Sequence, residues 1–186
     1  MASLPDPTHD LNVDDRALFD RMVTVRTHAE GTSAPLDVYV RLFNNPQIAA
    51  LVGAFGEHLR FGGGLPDDVR ELIILRFAAR QGFGYEWSHH VRPARLAGLT
   101  DVVIESMAAD GVPADLPGDV RDVLEAVDLV VTKQSIPAPL HERIVAAHGN
   151  DGIVEVVALC GLYGLMGYVV TAFDIPVEPG FPAAPF

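Results

Sequence analysis

The chain has 186 residues, with 25 Asp plus Glu against 13 Lys plus Arg and a formal charge of -12. That length makes one ordinary domain, and 49% hydrophobic with 20% charged residues is a globular composition rather than a disordered one. The acidic balance, without a basic run, argues against nucleic acid and anionic membrane as partners. The single cysteine, Cys160, excludes an internal disulfide, a CxxC redox pair and a cysteine zinc cluster.

Residues 1–12 read as a tail. They lack the basic and apolar regions of an export signal, and with the absence of cysteine pairs this sets a cytoplasmic expectation. From Asp14 the pattern is helical. Ala17, Leu18, Met22 and Val25 fall at helical spacing over Asp14 to Arg26. Leu36 to Phe43 and Pro46 to Leu59 are two further helices, separated at Asn44-Asn45-Pro46. After Gly62-Gly63-Gly64, Pro66-Asp67-Asp68 opens a helix that runs to about Arg80 and is apolar nearly all round. Tyr85 to Ala97 follows and stops at Gly98, with Pro93 expected to kink it. Thr100 caps a short helix to Ala108, and Asp119 to Gln134 carries one valine-rich stripe. Pro137 to His148 ends at Gly149, and Asn150 is placed to cap a last helix over Gly152 to Phe173. Four prolines in Ile175 to Phe186 predict an extended or disordered arm. The fold class is all-α, with one helical domain over residues 13–174 between a tail and an arm.

Val156 to Phe173 is uncharged and long enough to raise the question of a membrane span. Acidic flanks and the absence of Lys or Arg nearby favour burial in protein, with a subunit interface included. Gly161, Gly164 and Gly167 would let a neighbouring backbone approach closely.

The densest chemical cluster is Tyr85-Glu86-Trp87-Ser88-His89-His90. On a helix, Glu86 and His90 share a face, and a carboxylate there can orient the imidazole for acid/base work. Glu71 sits in the apolar helix, where a buried carboxylate either finds a partner or gives up its charge. The plainer alternatives are a surface Glu/His pair, a Glu71 that anchors Arg76 or Arg80, and Tyr85 and Trp87 as ordinary core. Glu86-x-x-His89 is half of a di-iron pattern whose second half is missing, so no metal is expected. No G-x-S-x-G occurs. Lys133 reads as a solvated surface amine and Cys160 as inert packing.

Arg70-Glu71-Leu72, the Tyr85 to His90 run, Ala94 and Ala97-Gly98-Leu99-Thr100 together resemble the carboxymuconolactone decarboxylase family, to whose superfamily the alkylhydroperoxidase D proteins belong. The resemblance is strong over roughly Leu65 to Met107, and Gly161-Leu162-Tyr163 resembles the end of the family pattern. It implies an alkylhydroperoxidase D-like helical bundle and a homo-oligomer, commonly a trimer or hexamer. Placing the family histidine on His90 puts the family glutamate on Glu71, and the two cysteines of the family's C-x-x-C-x-x-x-H motif fall on Phe83 and Glu86. Thiol peroxidase chemistry is thereby excluded at this site, since no thiolate is present to attack a peroxide.

The resulting expectation is a cofactor-independent lyase acting on a small carboxylated lactone or related metabolite. His90 is the proton carrier, Glu86 its orienting group or a second acid/base, and Glu71 tunes the pair. Tyr85, Trp87, Tyr163 and Phe83 are expected around the substrate, with an arginine such as Arg76 or Arg60 on its carboxylate. The rivals are a dehydratase, tautomerase or cyclase on the same scaffold, and a non-catalytic ligand-binding oligomer.

Overall fold

The structure is a computed structural model that describes residues 3–30 and 36–186. Among them are eight α-helices and no strand: α1 (Val13–Glu30), α2 (Asp37–Leu42), α3 (Pro46–Glu57), α4 (Asp67–Gln81), α5 (Gly84–Leu96), α6 (Asp101–Ser106), α7 (Gly118–Val131) and α8 (Ala138–Ala172). A π-helical turn, His58–Gly62, extends α3.

The helix starts follow local chemistry. Asn12 accepts hydrogen bonds from the Asp14 and Asp15 amides, Asn45 from Ile48 and Thr100 from Val103. Each satisfies a donor that the first helical turn leaves unpaired. The helix ends use glycine where the chain must turn left-handed. Gly82 closes α4 at φ 69°, and this sharp stop lets α5 fold back directly on α4. The two helices predicted over 137–148 and 152–173 are both present and run on as α8, separated at Gly149, whose φ of 75° and ψ of 174° are not helical. Pro93 does not end α5, which continues to Leu96.

α4 is the centre of the bundle, packed against α5, α7 and α8. That position explains an apolar pattern on nearly every side: Ile73, Ile74 and Leu75 are fully buried, as are Val123, Leu124 and Val127 from α7 and Ile144 and Leu159 from α8. Arg76 lies in the same core. Its guanidinium donates to both carboxylate oxygens of Asp128, at 2.8 and 2.6 Å, and to the Met107 and Ala109 carbonyls, so the buried charge is matched by α7 and the loop after α6. α8 is long and apolar enough to cross a membrane, and half of its most apolar stretch is buried within the protein. Val154, Val157, Leu165 and Tyr168 form an exposed apolar stripe on it.

The arm after α8 is extended, as one of the two sequence expectations had it, and it is docked. Ile175 is buried. The Phe181 ring lies on His89, and the Phe186 ring meets Trp87 edge-on at 5.5 Å.

Candidate active site

The tight turn at Gly82 places α5 antiparallel-like against the end of α4, so that Glu71 and His90 stand at comparable distances from the turn and meet. His90 Nδ1 and Glu71 Oε2 are 2.7 Å apart in the buried space between the helices. Burial raises the Glu71 carboxyl, but the His90 ring, through its charge and hydrogen bond, and the Arg60 and Arg70 guanidiniums outweigh it and hold the group below its ordinary value. A carboxylate only accepts, so His90 Nδ1–H is the donor and the ring's basic lone pair falls on Nε2. Tyr163 from α8 meets the His90 ring edge-on, with centroids 4.8 Å apart. Burial pushes the Tyr163 hydroxyl well above the ordinary phenol value, so it stays neutral.

The pair opens on a cleft of about 290 Å³. Arg60 from the π turn, Arg70 from α4 and Arg92 from α5 supply positive charge to its walls, Asp67 supplies a further carboxylate, and Phe61, Pro93, Leu96 and Phe181 are apolar. Arg70 is itself paired with Asp67 at 2.9 Å and stands 3.5 Å from Glu71. Acid/base groups, cations and apolar surface thus converge on one opening, the usual make-up of a small-molecule site.

Glu86 lies in the same part of α5, but the orienting hydrogen bond predicted for it is made by Glu71. Its carboxyl is buried, and Oε1 has no hydrogen-bond partner among the described residues. Burial, partly offset by Arg60 and reinforced by Glu178, pushes it up to about 8. At neutral pH it is a carboxylic acid rather than a carboxylate.

His89, the neighbour of His90, is held differently. Nδ1 faces the Tyr85 carbonyl and Nε2 the Glu178 carboxylate, both at 2.7 Å. Both partners are acceptors, so a ring nitrogen that bonds either of them does so as an N–H donor. That ring is sandwiched between Tyr85 and Phe181, each with its centroid 4.1 Å away.

Several residues expected around a substrate do not line the cleft. Arg76 cannot bind a substrate carboxylate there, because it is fully buried and fully engaged by Asp128 and two carbonyls. The Phe83 ring packs between Phe77 and Tyr168. Trp87 is covered by Phe186. The Tyr85 hydroxyl donates to Glu178 at 2.9 Å. Tyr163 reaches the site through its contact with His90. Of the two arginines weighed from sequence, Arg60 is the one on the cleft. Arg70, Arg92, Phe181 and Glu178 were not anticipated. Arg70 stood beside Glu71 in the motif and could have been read; no local pattern announces the arm's residues.

Comparisons with known proteins bear on the family and the fold. The family model of the carboxymuconolactone decarboxylase family matches residues 46–128. No curated protein matches the chain. Among solved structures, the alkylhydroperoxidase AhpD core of an uncharacterized peroxidase-related protein from Ralstonia eutropha JMP134 superposes with a TM-score of 0.78 at 19% identity, covering 96% of this chain and 93% of that one. The debrominase Bmp8, as a cysteine-to-alanine variant in complex with 2,3,4-tribromopyrrole, gives a TM-score of 0.74 at 14% identity, covering 91% and 90%. A protein of unknown function from Agrobacterium tumefaciens, ascribed to AhpD-type antioxidant defence, gives 0.65 at 23% identity over 74% of this chain and 96% of that one. At these identities the likeness is one of fold. Residues 46–128, which carry Glu71, Glu86, His89 and His90, are thus similar to the carboxymuconolactone decarboxylase family, and the helices have the AhpD-like fold.

Proposed function

We propose that the protein is a small-molecule enzyme that works by acid/base chemistry without a cofactor, and that it removes carbon dioxide from a small carboxylated lactone or related metabolite. The observation that carries this reading is the Glu71–His90 pair, 2.7 Å apart, opening on a cleft with three arginines on its walls. Loss of carbon dioxide breaks a carbon–carbon bond, and the electron pair flows into a conjugated carbonyl as an enolate. Arg60 and Arg70 are placed to hold the substrate's negative charge and to stabilise the enolate oxygen. His90, as imidazolium supported by the Glu71 carboxylate, delivers a proton from Nε2 to the carbon and is reprotonated from solvent. Glu86, a neutral acid one helical turn before His90 on α5, does not line the cleft and is a second proton source in this reading. Peroxide reduction by a thiol is disfavoured. Phe83 and Glu86 occupy the two motif positions that hold cysteine in peroxidase members, and burial pushes the Cys160 thiol up to about 12.

The test is carbon dioxide release from a panel of carboxylated lactones and β-keto acids, with wild type beside His90→Ala. Release by wild type and its loss in a folded variant is the expected result. Substrate consumption without carbon dioxide would replace decarboxylation by dehydration, isomerisation or cyclisation at the same pair. Equal turnover by the two proteins would refute the site, and silence from both would favour a binding protein.

The same reading includes self-association. The stripe Val154, Val157, Leu165 and Tyr168 on α8, with Ile48, Leu51 and Phe55 exposed on α3, is apolar surface of the kind that subunits cover. Light scattering should give a multiple of 20.0 kDa, three- or sixfold by the family resemblance.

A further inference from the structure

The arm beyond α8 does more than end the chain, because it contributes a wall to the cleft. Glu178 is the hub that fixes it. Oε1 accepts from the Asp37 amide at 2.7 Å and from the Tyr85 hydroxyl at 2.9 Å, and Oε2 faces His89 Nε2 at 2.7 Å. One side chain therefore ties the arm to the start of α2 and to two residues of α5. Burial alone would raise this carboxyl, but the hydrogen bonds from His89 and the Asp37 amide bring it down to about 2, so the latch is charged across the physiological range. Three residues further on, Phe181 packs on the His89 ring at a tilt of 39° and is left half-buried, and it lines the cleft that holds Glu71 and His90. Opposite chemistry reaches the same cleft from Arg60, Arg70 and Arg92. A volume of about 290 Å³ is at the lower end for small-molecule pockets and suits a ligand of about one ring.

We propose that Phe181, fixed by the Glu178–His89 latch, is a ligand-contact residue of the Glu71–His90 cleft and selects small carboxylates that carry a flat unsaturated or aromatic ring over aliphatic ones. This rests on reading the cleft as a carboxylate substrate site. The carboxylate is held on the arginine side, and the ring lies against Phe181, whose other neighbour is the His89 imidazole. Leu96 and Pro93 complete the apolar side. His89 acts here as a positioning residue: its ring carries Phe181, and its two nitrogens are spent on Tyr85 and Glu178.

The probes are benzoate and acetate, titrated calorimetrically into the full-length protein. Wild type is expected to bind benzoate more tightly than acetate. Phe181→Ala should weaken benzoate about three- to tenfold, the range of one aromatic contact, and leave acetate unchanged. Phe181→Leu, which keeps apolar bulk without the ring, should fall between. Glu178→Ala should reproduce the selective loss of benzoate and also move the emission of Trp87, the one tryptophan of the chain, to longer wavelength as Phe186 leaves it. Absence of benzoate binding in wild type, no change in Phe181→Ala, or an equal loss of both ligands would each overturn the proposal. Its failure is separable from that of the catalytic reading. His90-dependent turnover with no role for Phe181 sinks only this proposal. Phe181-dependent benzoate binding without His90-dependent turnover sinks only the decarboxylase.

Discussion

Replacing Glu86 by Gln should make the protein more stable at alkaline pH while changing little at acid pH. The carboxyl is buried with an unpartnered oxygen and is pushed up to about 8 from an ordinary 4.5. In this window the folded chain keeps a proton that the unfolded chain has released, so stability falls as pH rises from about 4.5 to about 8. At about 1.4 kcal/mol for each pH unit of displacement, the ionised group costs the fold about 5 kcal/mol above that window. Gln has the shape of the protonated acid and never ionises. We therefore expect Glu86→Gln to match wild type at pH 5 and to gain about 3–5 kcal/mol over it by pH 9. Urea denaturation at fixed ionic strength, followed by Trp87 fluorescence at several pH values, measures this difference. Other titrating groups are common to both proteins and cancel. Stability curves that stay parallel from pH 5 to pH 9 would refute the reasoning, since they would mean that Glu86 is solvated or paired.

Arg76→Ala should cost about 2–4 kcal/mol, because it leaves two carbonyls beside the core unpaired and Asp128 with Arg80 alone; a loss under 1 kcal/mol in chemical denaturation would contradict the pairing. Gly167→Ala should destabilise by about 1–3 kcal/mol, since the added methyl would run into the Phe83 ring, and an unchanged melting temperature would show that the ring moves aside freely. Cys160, with its thiol pushed up to about 12, should resist iodoacetamide at pH 8 in the native protein and react promptly in urea. Fast native alkylation would place it on the surface.

Several helices were legible through local signals: Asn45 before Pro46, Gly82 after α4, Gly98 after α5 and Gly149 inside α8 behave as their chemistry dictates. Glu71 and His90 were legible through the motif. Their partnership was assigned differently, since spacing along one helix favoured Glu86, while the turn at Gly82 brought Glu71 closer. The arginines show the limit most clearly. Arg76 looked available because its partner, Asp128, lies 52 positions away, and Arg92 joins the cleft through a packing arrangement that no local pattern records. The arm was invisible for the same reason. Proline content foretells an extended segment, but the three bonds that seat Glu178 are made to residues about 90 to 140 positions distant.

The Phe83 ring occupies the space that Gly167 leaves open on α8, and position 83 is also where the family's motif places its first cysteine. The two positions are therefore interlocked. A thiol returned at 83 would leave a void over the glycine, and a larger residue at 167 would find no room while the phenylalanine stays. Size at the mouth of α5 is thus set by size on α8, and changes at the two positions are tolerated together rather than singly.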